Sequence, residues 1–384
     1  HHALNTYLPK LVKAGQRVAI CDQLEDPKQT KTIVKRGVTE LVTPGVSLSD
    51  ELLQAKANNF LAAVHFGAAR IGVSFLDIST GEFFLAEGSR EDIDKWLQNF
   101  SPKEVLVSKK HKTDFAEGFG PEYHRFFLED WVFHEDYARE TLTGHFKTSG
   151  LKGFGVESLP QGVIAAGAVL HYLKETRHRQ LAHITALRRL SAEDYVWMDR
   201  FTLQNLELFQ TRDTRGVSLL EVIDRTRSPM GGRLLRRWLA MPLVQLDPIR
   251  ERHKIVGFFV ENDTLLEAVQ EYLKRMGDLE RLIAKVAAGK VSPRETVQLK
   301  NALETLLPLK SKITQASEPA LARLGAAIDP CEGLRERIKK VLLEEAPAGI
   351  GKADTIAPGF SSELDELRGL ARTGKDYLDQ MLER

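Results

Sequence analysis

The chain has 384 residues, 42% of them hydrophobic and 28% charged, so it is long enough to form two or three domains with sizeable cores. Its 54 Lys and Arg residues are balanced by 53 Asp and Glu residues, which excludes the strongly basic charge that by itself marks a nucleic-acid-binding protein. Its two cysteines, Cys21 and Cys331, are far apart and form no CxxC motif, which argues against a disulfide scaffold or a zinc ribbon.

The hydropathy and the two ends of the sequence bear on the protein's location and on whether the chain is part of a longer protein. No apolar run reaches membrane-spanning length and no secretory leader opens the chain, and the two distant cysteines fit a reducing cytosol. The chain starts at His1-His2 without an initiator methionine and stops at Arg384 in a helical pattern with no C-cap. We interpret it as the interior of a longer protein; a purification-tag remnant is the alternative explanation of the two histidines.

The beginning of the chain is predicted to form a helix, a strand, a loop and a second strand. An apolar stripe indicates a helix that ends at Gly15. Residues 17–21 read as a short buried strand, and residues 38–42 as a strand that ends at the turn Thr43-Pro44-Gly45. Residues 49–59 are polar, with apolar residues at helical spacing, and we place the first domain boundary at residue 48.

An α/β domain is predicted for the following 130 or so residues. Aromatic and β-branched residues alternate in three segments separated by Gly-containing turns, which indicates a three-stranded meander; a helix, a strand and a later helix follow. The strands are residues 60–65, 71–77, 82–85 and 104–107, and the helices are residues 91–100 and 159–176. Residues 109–155 have no clear pattern, so no elements are assigned there. The domain is predicted to end at residue 180.

The rest of the sequence is predicted to be all α-helical. Asp247 with Pro248 indicates one helix start, and the capping box Ser292-Pro293-Arg294-Glu295 indicates another. Ser362 and Asp365 are predicted to cap a last helix with a coiled-coil seam. The residues of that seam are Leu364, Leu367, Ala371, Gly374, Leu378 and Met381.

Two glycine-rich stretches resemble phosphate-binding loops only in part. Residues 369–375 satisfy GxxxxGK, but Asp376 follows where a magnesium-binding Ser or Thr is needed, and the segment is predicted to lie within a helix rather than after a strand. The stretch Gly349-Ile-Gly351-Lys352 lacks the first glycine of the motif. We therefore predict no nucleotide site in this chain.

Several charged residues and histidines are candidates for a metal or nucleic-acid site. Asp77 ends a predicted central strand, where a nuclease would hold a metal ion, but no second carboxylate is evident, so a carboxylate bonded to its own turn is favoured. His171, His178 and His183 have no zinc-site spacing and are read as a solvated helix face. Two basic clusters could contact phosphate, although pairing with carboxylates and a solvated surface are the favoured interpretations. These clusters are Arg233, Arg236 and Arg237, and Lys28, Lys31, Lys35 and Arg36.

Several stretches in collinear order resemble the MutS family of DNA mismatch repair proteins. They cover essentially the whole chain, and it is their order that makes the resemblance specific. Near the start they are residues 7–15, 18–27 (VAICDQLEDP) and 42–45 (VTPG). In the α/β part they are residues 76–83 (LDISTGEF) and 153–157 (GFGVE). In the helical part they are residues 198–208 (MDRFTLQNLEL), 228–238 (SPMGGRLLRRW), 278–281 (DLER) and 364–368 (LDELR).

The resemblance implies a multidomain α/β plus all-α fold. Residues 1–48 would be the C-terminal part of the α/β mismatch-binding domain, and residues 49–180 a connector domain of ribonuclease H-like fold without nuclease activity. Residues 181–360 would be the helical core, and residues 361–384 a lever helix leading towards a clamp.

The resemblance also implies a function for the longer protein. That protein would be a cytoplasmic, nucleoid-associated, DNA-dependent ATPase that uses ATP and Mg²⁺, binds mismatches and small loops in double-stranded DNA, acts as a homodimer and engages a MutL-like partner through the connector. The family's Phe-x-Glu wedge would lie upstream of residue 1 and its Walker-type ATPase downstream of residue 384. This chain itself would have no enzymatic activity or cofactor, and His1 and His2 would be its DNA-proximal residues. The alternatives are a metal-dependent nuclease built on Asp77 and a MutS-related recombination protein.

Overall fold

A computed structural model describes residues 3–25, 33–178, 180–213, 215–351 and 353–382. The chain divides into two compact units. Residues 1–254 and 280–290 form the first unit, and residues 255–279 and 291–384 form the second. In the described part of the chain, no helix combines the length and the apolar composition that a membrane crossing requires.

The elements alternate between helix and strand up to the middle of the chain and are helical thereafter. The strands are β1 (Val18–Gln23), β2 (Arg36–Val42), β3 (Leu61–Phe66), β4 (Ile71–Asp77), β5 (Glu82–Gly88), β6 (Glu104–Ser108), β7 (Arg125–Leu128) and β8 (Arg188–Arg189). The helices before residue 240 are α1 (Leu4–Lys13), α2 (Arg90–Phe100), α3 (Lys112–Phe119), α4 (Glu135–Phe146), α5 (Pro160–Glu175), α6 (Arg200–Asn205), α7 (Leu219–Ile223) and α8 (Pro229–Ala240). The later helices are α9 (Leu246–Glu261), α10 (Asp263–Met276), α11 (Leu279–Ala287), α12 (Pro293–Thr314), α13 (Pro319–Ala327), α14 (Glu332–Val341) and α15 (Ser362–Leu382).

The first elements form a small antiparallel sheet covered by a helix. Strands β1 and β2 pair from Val18 opposite Val42 to Gln23 opposite Arg36. Apolar residues of α1, Leu8 and Val12, pack on Val42 of β2. Residues of β1 alternate between half-buried and exposed, so the predicted strand exists but is half-buried rather than buried.

A six-stranded mixed sheet forms the centre of the first unit, in the order β7-β6-β3-β4-β5-β8. Strands β3, β4 and β5 form the predicted antiparallel meander, with Asp77 opposite Glu82 where β4 leads into β5. Strand β6 is parallel to β3, and β7 is parallel to β6. Helix α2 covers one face, and α5 covers the other together with α4. This arrangement confirms the mixed α/β class, and β7, α3 and α4 lie in the segment for which no elements were predicted.

The second unit is helical, as predicted for this part of the chain. Helix α12 begins with the predicted capping box: Ser292 accepts from Glu295 N at 3.2 Å, and Glu295 accepts from Ser292 N at 2.8 Å. Lys300 lies on the buried face of α12 and pairs with Glu344 at 3.2 Å and with Glu304 at 3.8 Å. Residues Leu342 and Ile356 form an isolated bridge before α15.

Three local predictions in the helical part and its approach are wrong. Residues 49–59 form turns, not a helix. Asp247 lies inside the first turn of α9, which begins one residue earlier, so it is not the N-cap. In α15 the cap is Ser361, whose hydroxyl accepts from Leu364 N at 3.3 Å, while Asp365 accepts from Gly359 N at 2.7 Å.

The predicted seam of α15 is half-buried at Leu364 and solvent-exposed at its other described side chains. Leu367 is 57% exposed, and Ala371 and Gly374 are exposed as well. The side chains of Leu378 and Met381 lie outside the described part.

Candidate coupling joint

A buried carboxylate ties the turn after β2 to the central sheet. Glu104, at the start of β6, is 3% exposed. One of its oxygens accepts hydrogen bonds from Thr43 Oγ1 at 2.5 Å and from Gly45 N at 3.1 Å, and the other accepts from the Tyr172 hydroxyl at 2.5 Å. We call Thr43, Gly45, Glu104 and Tyr172 the Glu104 cluster. Three hydrogen bonds to one carboxylate satisfy a charge that would otherwise be costly to bury.

The surroundings of the Glu104 cluster explain its residue types. Burial, and secondarily the Glu104 carboxylate, raises the pKa of Tyr172 well above its ordinary value, so the phenol remains a donor. A Cβ at Gly45 would lie 2.8 Å from Glu104 Cβ, which makes a side chain there incompatible with this close approach. The guanidinium of Arg17 lies 3.8 Å from the Phe126 ring centroid and 5.5 Å from that of Tyr172. The turn after β2 and helix α5 are therefore both bonded to Glu104, and Arg17, which directly precedes β1, packs on Tyr172 of the same cluster.

A second carboxylate joins three distant parts of the chain. Glu40 of β2 lies 3.4 Å from His178 Nε2 and 2.5 Å from Lys290 Nζ. We call these three residues the Glu40 cluster. Burial alone would raise the pKa of Glu40, but Lys290 and His178 beside the carboxylate lower it to about 2. The 3.4 Å separation from His178 is an ion-pair distance, longer than a strong hydrogen bond, so Lys290 is the closer partner.

Two buried arginines hold the backbone of residues 49–59. Arg233 of α8 is 3% exposed and donates to Ala55 O at 2.9 Å and to Glu280 at 2.6 Å. Arg281 of α11 is 7% exposed and donates to Gln54 O and Ala57 O, each at 2.9 Å. We call Arg233 and Arg281 the arginine pair. These arginines satisfy backbone carbonyls of a segment that forms turns, although its apolar residues have helical spacing.

Two lysines add to the same attachment. Lys56 Nζ lies 2.9 Å from Asp224, and Lys285 Nζ lies 2.6 Å from Asp50. A Cβ at Gly232 would lie 2.6 Å from Lys56 Cγ, so α8 approaches the segment closely where it has no side chain. We call the Glu104 cluster, the Glu40 cluster and the arginine pair together the joint. The joint connects β2, the 49–59 segment, the central sheet and helices α5, α8 and α11.

The predicted basic cluster on α8 divides into two environments. Arg233 and Arg237 pair with carboxylates, Arg237 with Glu82 of β5, so the favoured interpretation holds for these two. Arg236 instead lies over the Phe209 ring, 4.5 Å from its centroid. In the second cluster, Lys35 pairs with Glu25 at 3.6 Å and Arg36 begins β2, while Lys28 and Lys31 lie outside the described residues.

Asp77 is satisfied by its neighbours. It is fully buried and accepts from Ser79 N at 2.9 Å, Ser79 Oγ at 2.7 Å and Asn59 N at 3.0 Å. Asn58 Nδ2 bridges Asp77 and Glu82, 2.9 Å from each. Glu82 is not among the candidates predicted from the sequence, and the antiparallel register places it directly opposite Asp77. Within the described ranges, no group of three or more His, Cys, Asp or Glu side chains is arranged to hold a metal ion.

The three histidines do not lie on a solvated face as predicted. His171 is 8% exposed and His178 is 7% exposed. His171 Nδ1 is hydrogen-bonded to the Tyr137 hydroxyl at 2.7 Å, and His183 Nε2 to Ile78 O at 2.8 Å. His171 lies on the buried part of α5, and His183 is half-buried after it, so these side chains pack within the protein.

The other sequence candidates give no site in the described part. His1 and His2 lie outside the described residues, as does Lys352. Residues 369–375 lie inside α15, which agrees with the rejection of a phosphate-binding loop there.

Comparison with known proteins identifies the family. Residues 1–51 match the family model described as MutS domain I, residues 59–185 match MutS domain II and residues 201–383 match MutS domain III. The chain belongs to the MutS family. Proteins named DNA mismatch repair protein MutS are 56% identical in Flavobacterium psychrophilum, 58% in Christiangramia forsetii and 52% in Bacteroides fragilis, each over the whole of this chain. The chain spans 44% of the length of each of these relatives.

The matches assign the joint to three MutS segments. Glu40 lies in the match to MutS domain I, His178 in the match to domain II and Lys290 in the match to domain III. The Glu40 cluster therefore contains one residue from each. The Glu104 cluster links domains I and II, and the arginine pair anchors the connection between them to domain III. The predicted boundaries at residues 48, 180 and 360 remain predictions.

Proposed function

We propose that the protein acts in DNA mismatch repair and that this chain transmits conformational changes between the parts of the protein on either side of it. The Glu40 cluster is the observation that carries this proposal. Glu40, in the domain I segment, pairs with one residue in each of the other two matched segments, so a displacement of Glu40 changes both ion pairs. Transmission requires such an element, in which the state of one site biases another.

The arginine pair and the Glu104 cluster support the same role. Both are buried and both join residues that are far apart in the sequence. Moving these segments apart would leave a buried carboxylate or guanidinium without its partners, which costs several kcal/mol. The joint therefore favours a small number of discrete arrangements over a continuous range.

We further propose the activities of the whole protein from its family. It binds mismatches and small loops in double-stranded DNA, uses ATP with Mg²⁺, acts as a homodimer and engages a MutL-like partner through residues 49–180. It acts in the cytoplasm on nucleoid DNA, and His1 and His2 lie near the DNA. A nuclease is not favoured, because Asp77 and Glu82 are occupied by Asn58, Asn59, Ser79 and Arg237.

The transmission role is tested by weakening the joint in the cell. Glu40→Gln is introduced into the chromosomal gene, so that the joint is altered in the protein as the cell makes it. We expect the frequency of spontaneous rifampicin-resistant colonies to rise about tenfold or more at an unchanged protein level, because the amide no longer pairs with Lys290 and His178.

Glu135→Gln is the matched control. Glu135 pairs with Arg139 at 2.8 Å within α4 and so lies inside a single matched segment. The same chemical change there should leave the mutation frequency unaltered. Equal frequencies in the two variants would refute transmission through the Glu40 cluster.

A further inference from the structure

A cleft in the first unit brings together cationic side chains from several segments. Its volume is about 630 Å³, within the usual range for a small-molecule site. It is lined by the end of α1, the turn after β2, the segment that follows α2, residues 122–124, the region of α6 and one residue of α8. The charged residues of its wall are Lys13, Lys103, Arg200, Arg236 and Glu122.

The charges in the cleft are incompletely balanced. Arg200 pairs with Glu122 at 2.6 Å, which neutralises one cation. In the described part of the chain, Arg236 has no carboxylate partner and rests on the Phe209 ring. Burial lowers the pKa of Arg236, which reflects a guanidinium that is partly removed from water without a compensating anion. A guanidinium presents its N–H groups in one plane, the geometry that binds phosphate oxygens in pairs.

An amide and a phenol provide polar groups of a different kind. Gln98 lines the cleft and donates to Asp94 through Nε2 at 2.5 Å, while within the described residues its buried Oε1 accepts no hydrogen bond. Because this oxygen is buried, a ligand in the cleft does not reach it. Tyr123 lines the same wall; burial, and secondarily Asp94 and Glu122, raises its pKa, so its hydroxyl stays protonated.

We propose that this cleft binds a phosphate monoester, with Arg236 and Lys103 holding the phosphate. The wall carries more cations than carboxylates and so requires an anion, and a cleft of about 630 Å³ has room for the group esterified to the phosphate. A free sugar phosphate and the 5′-phosphorylated end of a nucleic-acid strand share this chemistry. The ligand would touch Lys103 in the match to MutS domain II and Arg236 in the match to domain III, so its binding would bias the joint.

The test is a calorimetric titration of the 384-residue chain with ribose 5-phosphate, and with ribose as a reference. We expect saturable binding of ribose 5-phosphate that is at least tenfold tighter than that of ribose. Arg236→Gln should weaken it about tenfold, as expected for losing one charged hydrogen-bonding group. Arg252→Gln is the matched control, because Arg252 also stacks on an aromatic ring, 3.6 Å from the Trp238 centroid, yet does not line the cleft.

Two further arms decide the remaining outcomes. Lys103→Gln changes an exposed side chain, so it tests the site even where Arg236→Gln impairs folding, and it should also weaken binding. A 5′-phosphorylated oligonucleotide that displaces ribose 5-phosphate, when its unphosphorylated form does not, would support the site and assign the source to a strand end. No saturable binding, equal losses in Arg236→Gln and Arg252→Gln, or displacement by both oligonucleotides alike would overturn the proposal.

Discussion

The Glu104 cluster permits one quantitative prediction, for Tyr172→Phe. This substitution removes a single hydroxyl and preserves the ring, which is fully buried against the sheet. The lost interaction is a hydrogen bond of 2.5 Å to a carboxylate that is itself 3% exposed. Hydrogen bonds to charged groups contribute about 1.5–3 kcal/mol, and water cannot readily replace the hydroxyl at a buried site. We therefore expect the free energy of unfolding to fall by about 1.5–3 kcal/mol.

The assay is urea unfolding followed by tryptophan fluorescence. The four tryptophans of the chain, Trp96, Trp131, Trp197 and Trp238, all belong to the first unit, so the signal reports on the unit that contains the Glu104 cluster. Tyr137→Phe is the control, because it removes a hydroxyl that is hydrogen-bonded to the imidazole of His171 and not to a carboxylate. That loss should cost about 0.5–1.5 kcal/mol.

The comparison has a clear contrary result. A change below about 0.5 kcal/mol for Tyr172→Phe, or a change no larger than that for Tyr137→Phe, would mean that the carboxylate does not depend on the phenol. Combining Tyr172→Phe with Thr43→Val adds a further check. Both hydroxyls donate to Glu104, so their effects should be non-additive by more than about 0.5 kcal/mol.

Three further predictions concern pH, the arginine pair and ATP. The pKa of Glu40 is lowered from an ordinary 4.5 to about 2, so its contribution to stability is present above pH 4.5 and is lost as the pH falls towards 2. In Glu40→Gln the urea midpoint should therefore depend less on pH within that window. The same pH dependence in both proteins would contradict the ion pairs. Arg281→Met removes the donor to two carbonyls of residues 49–59, so limited proteolysis within this segment should become about tenfold faster. Arg252→Met should not change the cleavage rate. Equal rates in the two variants would show that Arg281 does not hold the segment. The 384-residue chain should hydrolyse no ATP above a buffer control, and Lys375→Ala should not change this rate. ATP hydrolysis that is lost in that variant would support a phosphate-binding loop at residues 369–375.

Local sequence signals determined most of the secondary structure of this protein. The β3–β5 meander follows from alternating apolar residues between glycine turns, and the start of α12 follows from Ser292, Pro293 and Glu295. Both signals act over a few residues, so neighbouring residues suffice to establish them. Nine collinear motif stretches in three regions also indicated the family, because their order is a property of the sequence itself.

The joint was decided by tertiary structure alone. Glu104 meets Tyr172 across 68 positions and Arg281 meets Gln54 across 227, separations at which no periodicity or capping rule operates. Residues 49–59 have helical spacing, yet their carbonyls bond to arginines of α8 and α11, so packing overrides the local preference. Glu82 lies beside Asp77 only because two strands pair in one register. A short-range pattern specifies which elements form, whereas burial of charge specifies which distant residues must meet, because only a complete fold can satisfy those charges.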